Sequence, residues 1–254
     1  MKKLLSFIGL LTIASGAFAL DGTQIAQASH DVAESKTTHS LVAMTLIDKN
    51  GVKDERIVEE WGRKENDLSD TIMVFRAPAS VKNTRFLKKE NEGAADDKWI
   101  YLPALKRVRR IASSDGGSSF MGTDFTYDDM ESRDVERDNH ELLREETVNG
   151  FDCYVVKGVA KDPEDSQYSY RISYIRKDNF VPIKLELFDK ANDLEKVMEV
   201  QDLREVSGYW TPIKATMTNV QTGHSTSIEI KNIEFDKGVN PKIFTQSFMS
   251  SGRA

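Results

Sequence analysis

From Leu41 to Phe235 the chain alternates apolar and polar residues with a period of two, and turn signals interrupt the alternation at short, regular intervals. Successive side chains of a strand point to opposite faces, so this pattern describes strands with one buried side and no helix periodicity. Tyr168, Tyr170, Ile172 and Tyr174 alternate with Ser169, Arg171 and Ser173, and Ile183, Leu185 and Leu187 with Lys184 and Glu186. Asn149-Gly150 is a strong hairpin signal, and Asp48-Lys49-Asn50-Gly51, Asn192-Asp193 and Thr222-Gly223 turn the chain elsewhere. The count comes to about ten or eleven strands at tight spacing, the pattern of an antiparallel sandwich or barrel. No alternation of strands with helices is present, which argues against a parallel nucleotide-binding sheet.

The expected elements begin with a helix over Gly22 to Glu34, capped by Asp21, with Ile25, Ala28 and Val32 on one side. Strands are expected at Leu41 to Ile47, Ile57 to Trp61, Thr71 to Arg76, Thr84 to Lys88, Trp99 to Leu102 and Val108 to Ile111. A loop over Asn91 to Asp97 separates two of them. Ser113 to Ser119 reads as a Ser/Gly loop, Phe120 to Glu131 as a helical turn or two, and Asp134 to Asn139 as loop. The second half continues with strands at Leu142 to Thr147, Cys153 to Val159 and onward. Ile233 and Phe235 fall on the opposite parity from Ile228 and Ile230, and a bulge near Asn232 would return them to one face.

The two halves differ in one respect. In the second half one face is apolar and the other polar, as for a sheet with a wet side. In the first half both faces are apolar: Ile72 and Val74 lie opposite Met73 and Phe75, and Leu41, Ala43 and Ile47 opposite Val42, Met44 and Leu46. Those strands need cover on both sides. A helix can supply one cover. The other is either ordinary core or an apolar cavity able to hold an acyl chain.

Residues 1–19 read as a secretory signal: Lys2 and Lys3, an apolar stretch from Leu4 to Ile13, and the small-residue site Ala17-Phe18-Ala19. The stretch is too short to span a bilayer. Residues 20–254 are then expected to form a single domain in the periplasm, and no Cys follows the cleavage site to accept a lipid. Loss of Lys2 and Lys3 moves the formal charge from −6 to −8. An acidic exported chain argues against nucleic acid as a partner. Cys153 is the one cysteine of the chain, so no internal disulfide can form, and its apolar setting reads as a small buried hydrophobe.

No nucleophile elbow, zinc-binding helix motif, paired-cysteine motif or phosphate loop is present. His30, His39, His140 and His224 lack ligand spacing and read as surface or capping residues. Asp124, Asp128, Asp129 and Glu131 alternate with aromatics and form no calcium loop. Asp128 and Asp129 are expected to meet the basic run of Lys106, Arg107, Arg109 and Arg110 or to begin a helix. No metal and no cofactor is expected. The basic run reads either as a charged strand edge that blocks edge-to-edge pairing or as a cationic rim for lipid phosphate or a partner's carboxylates. Arg107 and Arg109 share one face of an extended segment and Arg110 takes the other.

The stretch from Lys98 to Met130, KWIYLPALKRVRRIASSDGGSSFMGTDFTYDDM, carries more than propensity. Its Trp99-x-Tyr101-Leu-Pro-Ala-Leu-x-x-Val-Arg-Arg-Ile111 block, followed by Ser119-Phe-Met-Gly-x-Asp-Phe-x-Tyr127-x-Asp, resembles the outer-membrane lipoprotein-sorting family, the LolA/LolB-like periplasmic carriers. Weaker echoes are Trp61, Phe75 with Pro78, Gly150-Phe151-x-Cys153-Tyr154, Gly208-Tyr209-Trp210-x-Pro212, Thr222-Gly223 with Thr226, and Phe244-Thr245. Lys82-Asn83-Thr84 departs from the family's smaller Gly-Thr element.

The resemblance implies an unclosed antiparallel β half-barrel whose concave face is plugged by helices, with an apolar space between that accepts acyl chains. It implies a monomeric, non-enzymatic carrier of lipid or lipoprotein, working beside an inner-membrane transporter of the resistance-nodulation-division (RND) type. The alternative is a transporter's accessory subunit without cargo. Candidate lipid contacts are Met73, Phe75, Trp99, Tyr101, Phe120, Met121, Phe125 and Tyr127, and candidate headgroup or partner contacts are Arg107, Arg109 and Arg110. The expected mature terminus is Leu20. The intact mass of protein from the periplasm checks it, and a retained leader or an added diacylglycerol mass would contradict it.

Overall fold

The computed structural model describes residues 20–253. The expected signal peptide, residues 1–19, lies outside the described residues. Thirteen strands form one antiparallel sheet. The first meander comprises β1 (Thr37–Ile47), β2 (Lys53–Glu65), β3 (Leu68–Ala77), β4 (Arg85–Asn91), β5 (Ala94–Leu102) and β6 (Arg107–Ile111). The second comprises β7 (Asp138–Val148), β8 (Phe151–Ala160), β9 (Tyr170–Arg176), β10 (Pro182–Phe188), β11 (Leu194–Val206), β12 (Tyr209–Asn219) and β13 (His224–Phe235). The meanders join where β1 pairs with β13, and the sheet runs β6 to β1, then β13 down to β7. It is open, with β6 and β7 at its two edges.

This is the unclosed antiparallel sheet that the family pattern implied, with more strands than the ten or eleven expected. The stretch expected as a loop over Asn91 to Asp97 is a tight hairpin, with Asn91 paired to Ala94 and Gly93 at φ +65°. The inward charges Asp96 and Lys98 hid the strand, because alternation is weak where polar side chains point inward. The bulge expected near Asn232 exists: Leu41 pairs with Asn232 and Val42 with Ile230, so Lys231 is the extra residue.

Cross-strand pairing fixes which side chains share a face. One row runs Leu46, Thr226, Met217, Met198, Leu185, Ser173, Val156 and Leu142. A second runs Glu60, Met73, Phe86, Ile100 and Arg109. Both belong to what we term the inner face. The outer face of the first meander carries the row Trp61, Ile72, Leu87, Trp99 and Arg110.

Helix α1 (Gly22–His30) closes one end of the inner face. The Asp21 side chain accepts a hydrogen bond from the Gln24 backbone amide, and the Asp21 backbone amide donates to the Gln24 side-chain oxygen, a reciprocal cap that starts the helix. Fully buried Ile25 packs with Val156 and Ile175. The helix stops at His30, short of the expected Glu34.

The outer face of β3 to β6 is covered by α2 (Gln246–Ser251), which the alternation pattern did not disclose. Thr245 caps it by accepting from the Phe248 amide, and Gly252 ends it at φ +68°. Phe244, Phe248 and Met249 pack with Ile72, Val74 and Leu87. Both faces of the first meander are therefore covered, as its doubly apolar strands require. Phe244 is 2% exposed, and the Arg63 guanidinium lies 4.9 Å from its ring centroid. Phe244→Ala is expected to cost about 3–5 kcal/mol of stability, read as a lower urea midpoint with an unchanged slope.

Candidate functional site

β6 and β7 are consecutive in the chain but sit at opposite edges of the sheet. Residues 112–137 must cross a face to join them, and they cross the inner one. The segment holds only short 3-10 turns, at Ser113–Asp115, Asp128–Met130 and Val135–Arg137, and the second of these is the helical turn expected within Phe120 to Glu131. Crossing connections of this length without regular structure are uncommon and are often functional.

The tip of the segment is a tight loop in which the Phe120 amide donates to the Phe125 carbonyl at 2.8 Å. Met121 and Gly122 take φ of +53° and +79°, which glycine tolerates best. This loop drives Phe120 into the sheet. Its ring is 1% exposed and meets Phe86 edge-on at 5.0 Å, Tyr127 at 5.6 Å and Phe75 at 6.2 Å. Val42, Met44, Leu46, Val58, Ile100 and Ile111 complete the cluster, with Met73 and Met121 packed against it.

Polar latches hold the segment along its length. Arg56 donates to the Met121 carbonyl at 2.7 Å and pairs with Asp54 at 2.7 Å. Asp124 accepts from Thr226 Oγ1 at 2.7 Å and lies 2.7 Å from His224 Nδ1, and its amide donates back to Thr226 at 3.0 Å. Lys98 bridges Asp128 at 2.9 Å and Glu131. Burial works against the charge on Lys98, but the bonds to Glu131 and Asp128 prevail and raise its pKa. Tyr168 donates to Asp129 at 2.9 Å, and Lys196 reaches Asp129 at 3.3 Å and the Tyr168 oxygen at 2.9 Å. Burial, then Asp129, pushes the Tyr168 phenol well above its ordinary pKa.

Two spaces remain beneath the segment. One, of about 290 Å³, is lined by Met44, Met73, Phe86, Phe120, Phe125, Met130 and Ile228, with Glu60, Lys88 and Asp129. The other, of about 650 Å³, is lined by Phe125, Tyr168, Leu185, Leu187, Met198 and Met217, with Lys98, Asp128, Asp129 and Arg171. Phe125 and Asp129 line both, so the two spaces adjoin at these side chains. The inner face is thus apolar with embedded charge.

The structure brings Met73, Phe75, Phe120, Met121, Phe125 and Tyr127 together on the inner face. It separates Trp99 and Tyr101 from them. Those two rings lie on the outer face, packed against the cluster of Phe244 and Phe248, because their parity on β5 is opposite to that of Ile100. The expectation that they share a cavity with Phe120 is corrected on that ground. Arg107, Arg109 and Arg110 are exposed on edge strand β6. Arg107 and Arg109 have the inner parity, and Arg109 pairs with Asp115 of the crossing segment at 3.1 Å. Arg110 has the outer parity and pairs with Asp97, whose carboxyl it holds below the usual range. Asp128 and Asp129 begin the 3-10 turn, as one of the two expectations had it, and meet Lys98, Tyr168 and Lys196 instead of the basic run.

Sequence reasoning missed the inward charges Glu60, Lys88, Asp96, Lys98 and Lys196. The available signal was their parity: Lys88 follows Phe86, and Lys196 precedes Met198, at inward positions. Lys88 lies 3.4 Å from Asp96, whose carboxyl is raised chiefly by burial. Among the described residues no group of three His, Cys, Asp or Glu side chains is placed to hold a metal ion.

The Glu60 carboxyl group has no hydrogen-bond partner among the described residues, and burial pushes its pKa up to about 7 against a smaller opposing pull from Lys88. Folded protein holds this proton where unfolded chain, titrating near the ordinary glutamate value of 4.5, has lost it. The raised pKa therefore costs no stability below pH 4.5, and the cost grows as pH rises toward 7. Wild type is expected to lose on the order of 2–3 kcal/mol relative to Glu60→Gln between about pH 4.5 and 7.5. Parallel pH–stability curves for the two proteins would contradict this.

The comparisons with known proteins bear on the fold. A family model described as "Uncharacterized protein" matches residues 67–251. A DUF1329 family protein from Desulfovibrio piger ATCC 29098 superposes with a TM-score of 0.85 at 27% identity, covering 90% of this chain and 97% of that one. A putative outer membrane lipoprotein-sorting protein domain from Vibrio parahaemolyticus gives 0.85 at 29% identity, covering 90% and 98%. A LolA superfamily protein from Nitrosomonas europaea gives 0.70 at 18% identity, covering 91% and 100%, and shows the fold alone. No curated protein matches the chain. The chain belongs to the family of uncharacterized proteins whose model spans residues 67–251, and its fold is the LolA-like, lipoprotein-sorting one.

Proposed function

We propose that the protein is a periplasmic carrier that shields acyl chains of a lipid or lipoprotein on the inner face of its sheet, and that residues 112–137 yield to admit them. The carrying observation is an apolar inner face covered by an irregular segment on polar latches. The lipoprotein-sorting relative from Vibrio parahaemolyticus adds support. An acyl chain in water costs about 0.8 kcal/mol per exposed CH₂, and a carrier removes that cost by offering an apolar surface. The chain acts by binding, without catalysis. Among the described residues no helix is long and apolar enough to cross a membrane.

In this reading Met73, Phe75, Phe120, Met121, Phe125 and Tyr127 line the cargo site. Trp99 and Tyr101 do not, because they face α2. Arg107 and Arg109 stand at the inner-face rim of β6, where a planar guanidinium suits a phosphate headgroup. Arg110 is left for a partner, for which an inner-membrane RND-type transporter is the candidate. The two spaces beneath the segment are small for a whole lipid, so Phe120 and its loop must leave for full loading.

The burial of Phe120 also favours a second reading, an accessory subunit of a transporter whose inner face is filled by its own side chains. Delipidated, refolded protein and a fluorescent fatty acid distinguish the two: a carrier binds stoichiometrically and an accessory subunit does not bind. Phe120→Asp is expected to abolish binding with the far-UV circular dichroism kept, since burying an unpaired carboxylate among acyl chains costs several kcal/mol. Thr226→Val, which removes a latch worth about 1 kcal/mol, is expected to speed uptake several-fold. Absence of binding by wild type, or uptake by Phe120→Asp at the wild-type level, would sink the carrier reading.

A further inference from the structure

A chemically different cavity lies on the outer face. It encloses about 400 Å³ between β1 to β4 and the C-terminal residues, and its apolar lining is Trp61, Val74, Val239, Ile243 and Phe248. The charged lining is Arg76, Arg85, Lys237 and Glu234. Its size falls within the roughly 300–1,000 Å³ of small-molecule sites.

Arg85 is the unusual member. It is 9% exposed, and Nη1 donates to the Met249 carbonyl at 2.9 Å. Its guanidinium lies 4.9 Å from the Tyr101 ring centroid and 5.9 Å from that of Phe248. Gly252 sits so close that an added Cβ would meet Nη2 at 2.3 Å. Among the described residues it has no carboxylate partner. The other buried cations do: Lys98 has Asp128, Lys196 has Asp129, Lys88 has Asp96, Arg56 has Asp54 and Arg176 has Asp178. A buried guanidinium without a counter-charge is costly. Burial, and Arg76 nearby, lower the Arg85 pKa, with Tyr101 acting the other way.

The surroundings do not supply the missing charge. Arg76 is committed to Glu59 at 2.7 Å, and Lys237 is exposed without a bonded partner among the described residues. Glu234 is the one acid of the lining, half exposed and 4.0 Å from His39. One wall is flat: the Trp61 and His39 rings stack with centroids 4.9 Å apart and planes 6° from parallel.

We propose that this outer-face cavity binds a small organic anion, a carboxylate or phosphate on a planar or short apolar body, with Arg85 as the anchoring cation and Lys237 as the outer one. The negative head supplies the counter-charge that no described residue gives Arg85. The body lies against Trp61 and Phe248. The site is separated from the inner face by the sheet itself, so it stands independently of the carrier reading.

Trp61 lines the cavity and reports on it through its fluorescence. Full-length mature protein is titrated with benzoate, phenyl phosphate, inorganic phosphate and, as the neutral isostere, benzyl alcohol, with calorimetry alongside. Benzoate or phenyl phosphate is expected to bind saturably, and benzyl alcohol about ten- to a hundredfold more weakly, the value of a charge-assisted bond. Benzoate binding above phenyl phosphate assigns a carboxylate ligand, and the reverse order a phosphate. Binding by inorganic phosphate with the affinity of phenyl phosphate would overturn the role of the apolar wall.

Arg85→Gln is expected to weaken the preferred anion about ten- to a hundredfold. Because Arg85 also holds the Met249 carbonyl, Lys237→Gln supplies a variant that breaks no observed contact. It should weaken the anion several-fold with the thermal midpoint unchanged. No saturable binding of any anion, equal binding of benzyl alcohol, or wild-type affinity in both variants would overturn the proposal. Fatty-acid binding in the same samples reads the inner face separately.

Discussion

Everything in this molecule depends on one topological constraint: the sheet stays open while its two edge strands follow one another in the chain. β6 ends at Ile111 and β7 begins at Asp138, at opposite edges. The connection has to lie across a face, and only an apolar face rewards the crossing. Phe120 and Tyr127 provide that reward by packing edge-on or tilted against Phe75 and Phe86. The same constraint leaves two edges exposed, and both carry charge. Arg107, Arg109 and Arg110 stand on β6, and Glu141, Arg144, Glu145 and Glu146 on β7. Charged edges resist pairing with another chain, so the basic run has a structural use whatever it binds.

The crossing segment is held differently from a core. A hydrophobic core gains stability from area, but this segment is also fixed by Lys98, Lys196, Arg56 and Thr226, each bonded to one of its own groups. Partly buried ion pairs add little net stability, because desolvation offsets attraction, yet breaking one side of such a pair is costly. They specify position. A segment placed by polar latches over an apolar face can be displaced by a competitor that satisfies both kinds of contact. A lipid offers two such parts, an apolar tail and a charged head, and that is the physical sense of the proposed mechanism.

The two faces of the first meander divide the work. Gly116 shows how closely the inner cover is fitted, since a Cβ there would meet Asp128 at 2.0 Å. On the outer face the C-terminal residues lie on Trp61, Trp99 and Tyr101 and enclose Arg85, which has no carboxylate partner among the described residues. The family-specific block thus contributes to both faces: its Trp and Tyr hold the outer cover, and its Phe-Met-Gly loop forms the inner one.

Local order was legible in the sequence. Alternation gave the strands, Asn149-Gly150 and its counterparts gave the turns, Asp21 gave the start of α1, and the parity change near Asn232 gave the bulge, because each depends on a few neighbouring residues. Doubly apolar strands also announced that two covers were needed. Which segments supply them was decided only by tertiary structure. The alternation of Trp99, Tyr101 and Ile100 says that they divide between two faces, but not which face meets Phe120, since parity carries no absolute sign until the strands are paired. α2 is too short for helical periodicity to reveal, and it forms because Phe244, Phe248 and Met249 find an apolar sheet beneath them. The inward charges, Lys88, Lys98 and Lys196, look like solvated strand residues in sequence. They become part of a site only because Asp96, Asp128 and Asp129, brought from the same hairpin or from the crossing segment, neutralise them once the sheet has formed.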